Sequence, residues 1–252
     1  MSHPVHTEWI SLLTPAGQMT AFLALPPGGR GPGLLLMQEI FGVNKHIREV
    51  AQQYALAGFV VLAPDVFWRQ AARVELGYEG TDRERGMQLA TALVPAELQT
   101  DLMAALAALR ARPELSASAD TGTGTDTSTE THSPAKIGVI GYCLGGRLAY
   151  NAAALGGVDA AVAYYGGGIA GQLALAGQVR CPVQFHFAGT DNHIPPEAVS
   201  AVREAFAGKV AEIFEYPGSA HGFNCWSRAS YHAPSSALAL GRSLTFLAQQ
   251  LF

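Results

Sequence analysis

Residues 136–155 read KIGVIGYCLGGRLAYNAAAL, and this stretch decides the fold. An apolar run over 136–140 is typical of a buried strand, and the alanine-rich segment over 144–155 is typical of a helix. Cys143 lies between them, in a turn with glycines two positions to either side. Glycine is needed there, because a Cβ would collide where the strand folds back beside the helix. The pattern predicts an elbow that lifts the thiol above one edge of a sheet.

The rest of the chain alternates between strand and helix patterns. Strands are predicted over 19–25, 33–37, 59–63, 136–140, 160–164, 183–188 and 211–216, and helices over 46–57, 82–93, 96–110, 144–155, 196–206 and 235–251. Such alternation is typical of a mainly parallel sheet with helices on both faces. We therefore expect one α/β domain over residues 1–252, with its chemistry at the carboxyl ends of the strands.

The composition limits the classes of function. The chain is 49% hydrophobic and only 14% charged, with a net charge of −4. Low charge content is typical of sheets buried on both faces, and the charge balance predicts neither a nucleic-acid nor a membrane partner. The sequence shows no apolar span of membrane length and no signal-peptide pattern, so we expect a cytoplasmic protein.

The tract over 115–134, LSASADTGTGTDTSTETHSP, differs from the rest of the chain. Its Ser, Thr and Gly residues have almost nothing to bury, so we expect a mobile surface loop without a catalytic role. The strand and helix patterns resume directly after it, so the tract is not predicted to be a domain boundary.

The three cysteines, Cys143, Cys181 and Cys225, are too few and too odd in number for a disulfide framework. None belongs to a CxxC motif, and no two histidines share a helix with Asp or Glu at ligand spacing. We therefore predict no metal site. In a reducing compartment the well-framed Cys143 is expected to be chemically active, although a small buried cysteine in a packing turn is the alternative.

A thiol nucleophile needs a base, and the base needs an acid to orient it. Two loops downstream of Cys143 offer these groups, each just past the end of a predicted strand. Asp191 follows the strand over 183–188, and His221 follows the strand over 211–216. Because the carboxyl ends of parallel strands meet at one edge, the three side chains are expected to converge. Their chain order is that of α/β-hydrolases: nucleophile, acid, histidine.

Glu39 closely follows the apolar run over 34–37, where a carboxylate is costly to bury without a partner. It either caps the next turn or pairs with an arginine, or it faces the thiol of Cys143 and disfavours the thiolate. The backbone N–H groups of Ile40 and Leu144 are the expected donors to an oxyanion, since they follow the strand and the nucleophile, respectively.

Six segments, in order, resemble the dienelactone hydrolase (carboxymethylenebutenolidase) family. They are QEIFGVN (38–44), PDVFWRQ (64–70), GYCLGGRLAY (141–150), AVAYYGGG (161–168), FAGTDNHIP (187–195) and HGF (221–223). The resemblance implies a single-domain α/β-hydrolase fold, a monomer and no cofactor. It assigns Cys143, His221 and Asp191 to a triad, and it implies that Glu39 holds the resting thiol in check. The implied reaction opens a cyclic enol-lactone through a thiol-ester acyl-enzyme, which water then hydrolyses.

The chain differs from the family at the arginines that bind the substrate carboxylate. The family has one of them four residues after the catalytic histidine, where this chain has Cys225. Arg228, three residues further on, is either its replacement or a surface residue. Further candidate contacts are Arg85 (with Arg83 as the alternative), Arg69, Phe41 and Trp226, of which the two aromatic residues would form an apolar wall.

These patterns favour a thiol-dependent hydrolase of small lactones or esters. A general carboxylesterase, or a hydrolase of another activated ester with the same triad, is the alternative, because losing a bidentate arginine weakens recognition of a carboxylate. A non-catalytic ligand-binding protein of the same fold is a third hypothesis, which the presence of all triad residue types disfavours.

Overall fold

The computed structural model describes residues 4–115 and 135–252. Within these ranges eight strands form one sheet in the order β1-β2-β4-β3-β5-β6-β7-β8. The strands are β1 (His6–Thr14), β2 (Gly17–Leu25), β3 (Gly33–Met37), β4 (Val60–Pro64), β5 (Ile137–Tyr142), β6 (Ala160–Tyr164), β7 (Val183–Ala188) and β8 (Ala211–Tyr216). The prediction of a mobile loop over 115–134 falls, apart from Leu115, outside the described residues. That residues 1–252 form one domain stays a prediction, which the continuous sheet supports.

The sheet is mainly parallel, as predicted. From β4 through β3, β5, β6 and β7 to β8 all neighbouring strands are parallel. Only the hairpin of β1 and β2 and the pairing of β2 with β4 are antiparallel. Every residue of the five central strands β3 to β7 is buried, which accounts for the low charge content of the chain.

The helices connect the strands. They are α1 (Lys45–Leu56), α2 (Gly80–Thr91), α3 (Pro95–Arg110), α4 (Leu144–Leu155), α5 (Pro196–Ala205) and α6 (Ala233–Leu251). Predicted helices and strands are confirmed with ends shifted by at most two residues, whereas β1 and a 3₁₀ segment, Ile169–Gln178, are not predicted. Within the described ranges, no single helix is long and apolar enough to cross a membrane; α2 and α3 meet that test only as a pair bent by 94°.

The topology brings the candidate residues to one edge. Glu39 follows β3, Cys143 follows β5, Asp191 follows β7 and His221 follows β8, each within a few residues of the strand end. Because these four strands are parallel within the sheet, all four residues lie at its carboxyl edge.

Candidate active site

Cys143 occupies the predicted elbow. It is one of the few non-glycine residues with a positive φ, 56°, and it directly precedes α4. A Cβ on Gly141 would collide with the carbonyl of Gly145, and a Cβ on Gly145 would collide with the carbonyl of Met37. The glycines therefore let α4 begin against the ends of both β5 and β3. This close packing holds the backbone of Cys143 in a strained conformation, with its thiol at the sheet edge.

Asp191, His221 and Cys143 come together in one chain of contacts. His221 Nδ1 lies 2.8 Å from Asp191 Oδ2, and Cys143 lies close enough to the same imidazole to affect its pKa. Burial lowers the pKa of His221, but the contacts with Asp191 and Cys143 outweigh it and raise the pKa to about 10. The imidazole therefore holds a proton at neutral pH, next to the thiol of Cys143.

Asp191 is held from two sides. Its second oxygen, Oδ1, accepts a 2.7 Å hydrogen bond from the backbone N–H of His193. Burial raises the pKa of Asp191, but these hydrogen bonds and the charge of His221 prevail and lower it below its usual value. The carboxylate is thus charged and fixed in direction, as an orienting acid must be.

The two expected oxyanion donors face the same cleft. Ile40 and Leu144 both line it. Within the described part of the chain, neither backbone N–H donates a hydrogen bond to a protein acceptor. Leu144 is the first residue of α4, where helical N–H groups have no partner inside the helix. Both groups can therefore donate to a carbonyl oxygen of a substrate.

Glu39 pairs with an arginine, which was the structural alternative in its interpretation. Its Oε1 accepts a 3.3 Å hydrogen bond from Arg228 Nη1. Among the described residues, no hydrogen bond joins Glu39 to Cys143. Burial outweighs the attraction of Arg228 and His221 and raises the pKa of Glu39. The carboxylate–arginine pair lies beside the triad, since Arg228 lines the same cleft as Cys143 and His221.

The cleft above Cys143 has a volume of about 440 Å³ and contains three arginines, Arg83, Arg147 and Arg228. Arg228 is engaged by Glu39. Among the described residues, Arg83 and Arg147 have no carboxylate partner. The cleft therefore offers positive charge to an anionic group, in addition to the buried aromatic face of Phe41.

Two of the predicted arginine contacts lie outside the cleft. Arg85 does not line the cleft, whereas Arg83, its alternative, does. Two residues along a helix turn the side chain by about 200°, so Arg85 faces away from the cleft that Arg83 lines. Arg69 is held elsewhere by Asp101, with Nε and Nη2 each 2.8 Å from a carboxylate oxygen. Its guanidinium also stacks on the Trp68 ring at 4.8 Å.

Trp226, predicted as part of an apolar wall, also lies outside the cleft. It does not line the cleft, it is 39% exposed, and its indole N–H donates to Glu49 at 3.0 Å. Three further residues lie in or near the site without having been predicted as substrate contacts. Arg147 and His193 line the cleft, and His46 packs against Trp226. Arg147 could have been found from its position one turn after Cys143 on α4, since i and i+4 share a helix face.

Known proteins resemble this chain over nearly its whole length. The model of the dienelactone hydrolase family matches residues 19–251. Carboxymethylenebutenolidase from Pseudomonas putida is 34% identical over 245 residues, 96% of each chain. Carboxymethylenebutenolidase 1 from Cupriavidus pinatubonensis is 30% identical over 234 residues, 92% of each chain. A provisionally named dienelactone hydrolase from Klebsiella pneumoniae has a TM-score of 0.81 at 26% identity, covering 97% of this chain and 99% of that one. These relatives confirm the α/β-hydrolase fold.

Proposed function

Because the chain belongs to the dienelactone hydrolase family, we propose that it hydrolyses small lactones or esters through the triad Cys143, His221 and Asp191. That the protein is an enzyme of the dienelactone hydrolase type follows from its relatives. The observation that carries the mechanism is the contact chain from Asp191 through His221 to Cys143 at the base of the cleft.

The proposed first half-reaction transfers the acyl group to sulfur. The Cys143 thiolate attacks the carbonyl carbon, and the N–H groups of Ile40 and Leu144 donate to the oxygen that becomes negative. The tetrahedral intermediate collapses with cleavage of the carbon–oxygen bond. His221 gives its proton to the departing oxygen, and Asp191 holds the ring in the required orientation. In a lactone the leaving group stays attached to the acyl chain.

The second half-reaction returns the enzyme to its starting state. His221, now neutral, takes a proton from water as the water oxygen attacks the thioester carbon. The new intermediate expels the Cys143 thiolate and leaves a carboxylic acid. The Glu39–Arg228 pair is proposed to moderate Cys143 through its charge. The pair lies close to His221 and Cys143 without a hydrogen bond to the thiol.

The substrate is proposed to be a small ester or lactone, and an acidic group on it would find Arg83 and Arg147 in the cleft. Cys225 stands where the family has a substrate-binding arginine, four residues after the catalytic histidine, and is fully buried, which favours the alternative of a broader carboxylesterase. A monomer is proposed because one chain supplies every side chain of the triad and its cleft. The cytoplasmic location stays a prediction.

The test compares hydrolysis of a dienelactone and of a p-nitrophenyl ester by the wild type, Cys143→Ala and Cys181→Ala. Cys181 lies outside the cleft and serves as the matched thiol control. We expect Cys143→Ala to lose hydrolysis of both substrates and Cys181→Ala to retain it. Iodoacetamide should label Cys143 and abolish activity in parallel. Full activity of Cys143→Ala would overturn the mechanism, whereas the ratio of the two rates decides between lactonase and general esterase.

A further inference from the structure

Behind the cleft, three side chains from separate segments form a buried cluster: Glu39 after β3, His46 in the first turn of α1, and Cys225 in the loop after β8. Each offers one ligand atom, and these atoms all lie within 4.8 Å of one another. Glu39 and His46 are each 1% exposed and Cys225 is 0% exposed. The cluster is thus withdrawn from solvent while its polar atoms point at one another.

Most of these polar atoms have no partner. Within the described part of the chain, Glu39 Oε2 and both ring nitrogens of His46 are buried without a hydrogen bond. Leaving such a group unpaired is unfavourable, and native proteins contain few of them. Burial also lowers the pKa of His46 to about 4, although the nearby backbone of Asn224 opposes this. The imidazole is therefore neutral and has a lone pair free to bind a cation.

We propose that Glu39, His46 and Cys225 form a binding site for a divalent ion of the zinc type. Thiolate, imidazole and carboxylate are the ligands zinc takes in proteins, and three protein ligands leave a fourth tetrahedral position for water. Metal–ligand bonds of about 2.0–2.3 Å require the ligand atoms to approach one another by about 1 Å. Side-chain rotation can supply such a movement without rebuilding the backbone.

The charges of the site are compatible with the ion. Burial and the charge of Glu39 raise the pKa of Cys225 to about 12, so the free thiol is neutral. A bound zinc ion displaces that proton to solvent and forms the Zn–S bond. The dipositive ion is then balanced by the thiolate and the carboxylate. Arg228 can keep its hydrogen bond, because it uses Oε1 of Glu39 while Oε2 is free.

The route for the ion passes Trp226. Its ring meets the His46 ring edge to face at 4.3 Å, and the indole is 39% exposed. Trp226, which is tethered by the hydrogen bond to Glu49, therefore covers the cluster at His46. Rotation of Trp226 would open the site, and its fluorescence would report the change beside His46.

Occupation of the site would slow ester hydrolysis, a consequence that rests on the proposed function. Glu39 would be shared between the ion and Arg228, which lines the catalytic cleft. The metal-binding step itself does not depend on any hydrolytic activity. Failure of the triad mechanism and failure of the metal site are therefore separable.

The experiment uses the full chain, dialysed against a chelator and titrated with Zn²⁺ and separately with Co²⁺. One equivalent of Co²⁺ should give thiolate-to-cobalt charge-transfer absorption and the ligand-field bands of a tetrahedral site, with a change in Trp fluorescence. Cys143→Ala should bind as the wild type does, because the catalytic thiol is not a ligand. Cys225→Ser and His46→Gln should weaken binding by more than about 100-fold, and Cys181→Ser is the matched control.

Three outcomes would overturn the proposal. The first is the absence of stoichiometric binding. The second is loss of binding in Cys143→Ala, which would move the ion to the catalytic thiol and His221. The third is full binding by a Cys225→Ser variant with a wild-type circular-dichroism spectrum and melting temperature. For the regulatory consequence, hydrolysis by the wild type should fall severalfold with one equivalent of Zn²⁺, relative to the same sample with chelator, and this ratio should return to one in Cys225→Ser.

Discussion

Asp191 and Glu39 are two carboxylates at the same sheet edge, each paired with a cation, yet they are held in opposite ways. Both oxygens of Asp191 accept hydrogen bonds, at 2.8 Å with His221 and 2.7 Å with the His193 backbone. Glu39 has one longer hydrogen bond, 3.3 Å from Arg228, and a second oxygen without a partner. The pKa of Asp191 is lowered and that of Glu39 is raised.

The difference shows that completed hydrogen bonding, more than the presence of a cation, decides how a buried carboxylate behaves. Burial favours the neutral form of both groups. At Asp191 two hydrogen bonds and the charges of His221 and His193 overcome that cost, whereas at Glu39 one hydrogen bond and the charges of Arg228 and His221 do not. Asp191 is therefore a fixed orienting charge, and Glu39 is a charge whose surroundings can be changed by a substrate or a cation.

The largest expected effect comes from removing the charge of Asp191. Asp191→Asn keeps the size of the side chain but turns an amide toward Nδ1 of His221, which then adopts the wrong tautomer. We expect kcat on a p-nitrophenyl ester to fall by about 10³- to 10⁴-fold, measured at saturating substrate.

His193→Ala is the matched control for Asp191→Asn. It keeps the backbone N–H that binds Asp191 Oδ1, so we expect a much smaller loss. Equal losses in the two variants would mean that the His193 ring, which packs against His221 at 5.0 Å, takes part in the reaction.

The second expected effect is a dependence of stability on pH, which arises from the Asp191–His221 pair. His221 has a pKa of about 10 in the folded chain and 6.5 as its ordinary value. Its stabilising contribution is therefore complete below about pH 6.5 and is lost as the pH rises toward about 10, with a slope of at most about 1.4 kcal/mol per pH unit. Denaturant titrations at about pH 7 and about pH 9.5 should show a larger fall in unfolding free energy for the wild type than for His221→Gln. Parallel curves would contradict the raised pKa.

A third, smaller effect is expected at Glu39. Glu39→Gln removes the carboxylate charge but keeps an oxygen that can accept from Arg228. Because Arg228 already offsets that charge, we expect kcat/KM to change by about tenfold or less, equivalent to about 1.4 kcal/mol. Steady-state kinetics on the ester used for Asp191→Asn gives the comparison. A loss as large as that of Asp191→Asn would place Glu39 in direct contact with the reacting groups.

The sequence was sufficient for the groups that follow strand ends. Asp191 and His221 could be placed together because the sequence clearly predicts β7 and β8 as strands. Parallel strands have their carboxyl ends at one edge of a sheet. The edge strand β1 could not be predicted as readily, since its residues are largely exposed and pairing with β2 stabilises it. The 3₁₀ segment likewise lacks a sustained helical pattern.

The sequence did not reveal the cluster of Glu39, His46 and Cys225 for a different reason. A search for metal ligands in a sequence relies on regular spacing within one segment. Glu39 and His46 are seven residues apart across a turn, and Cys225 lies in the loop after the last strand. Only the packing of that loop against α1 brings the three together, so spacing predicted no metal site.

The smallest expected effect concerns the arginines. Since Arg228 is engaged by Glu39, recognition of an acidic substrate depends on the cleft arginines without a carboxylate partner. Arg83→Gln should raise KM for a carboxylate-bearing ester by about two- to fivefold, as an exposed ion pair contributes about 0.2–1 kcal/mol. Arg85→Gln, two residues along the same helix but outside the cleft, should leave KM unchanged, and a neutral ester should not distinguish the variants. Equal effects of both variants on the charged ester would indicate general charge attraction and contradict a specific contact. An increase in KM confined to Arg83→Gln would show that the substrate carboxylate binds Arg83, an arginine that is not paired with Glu39.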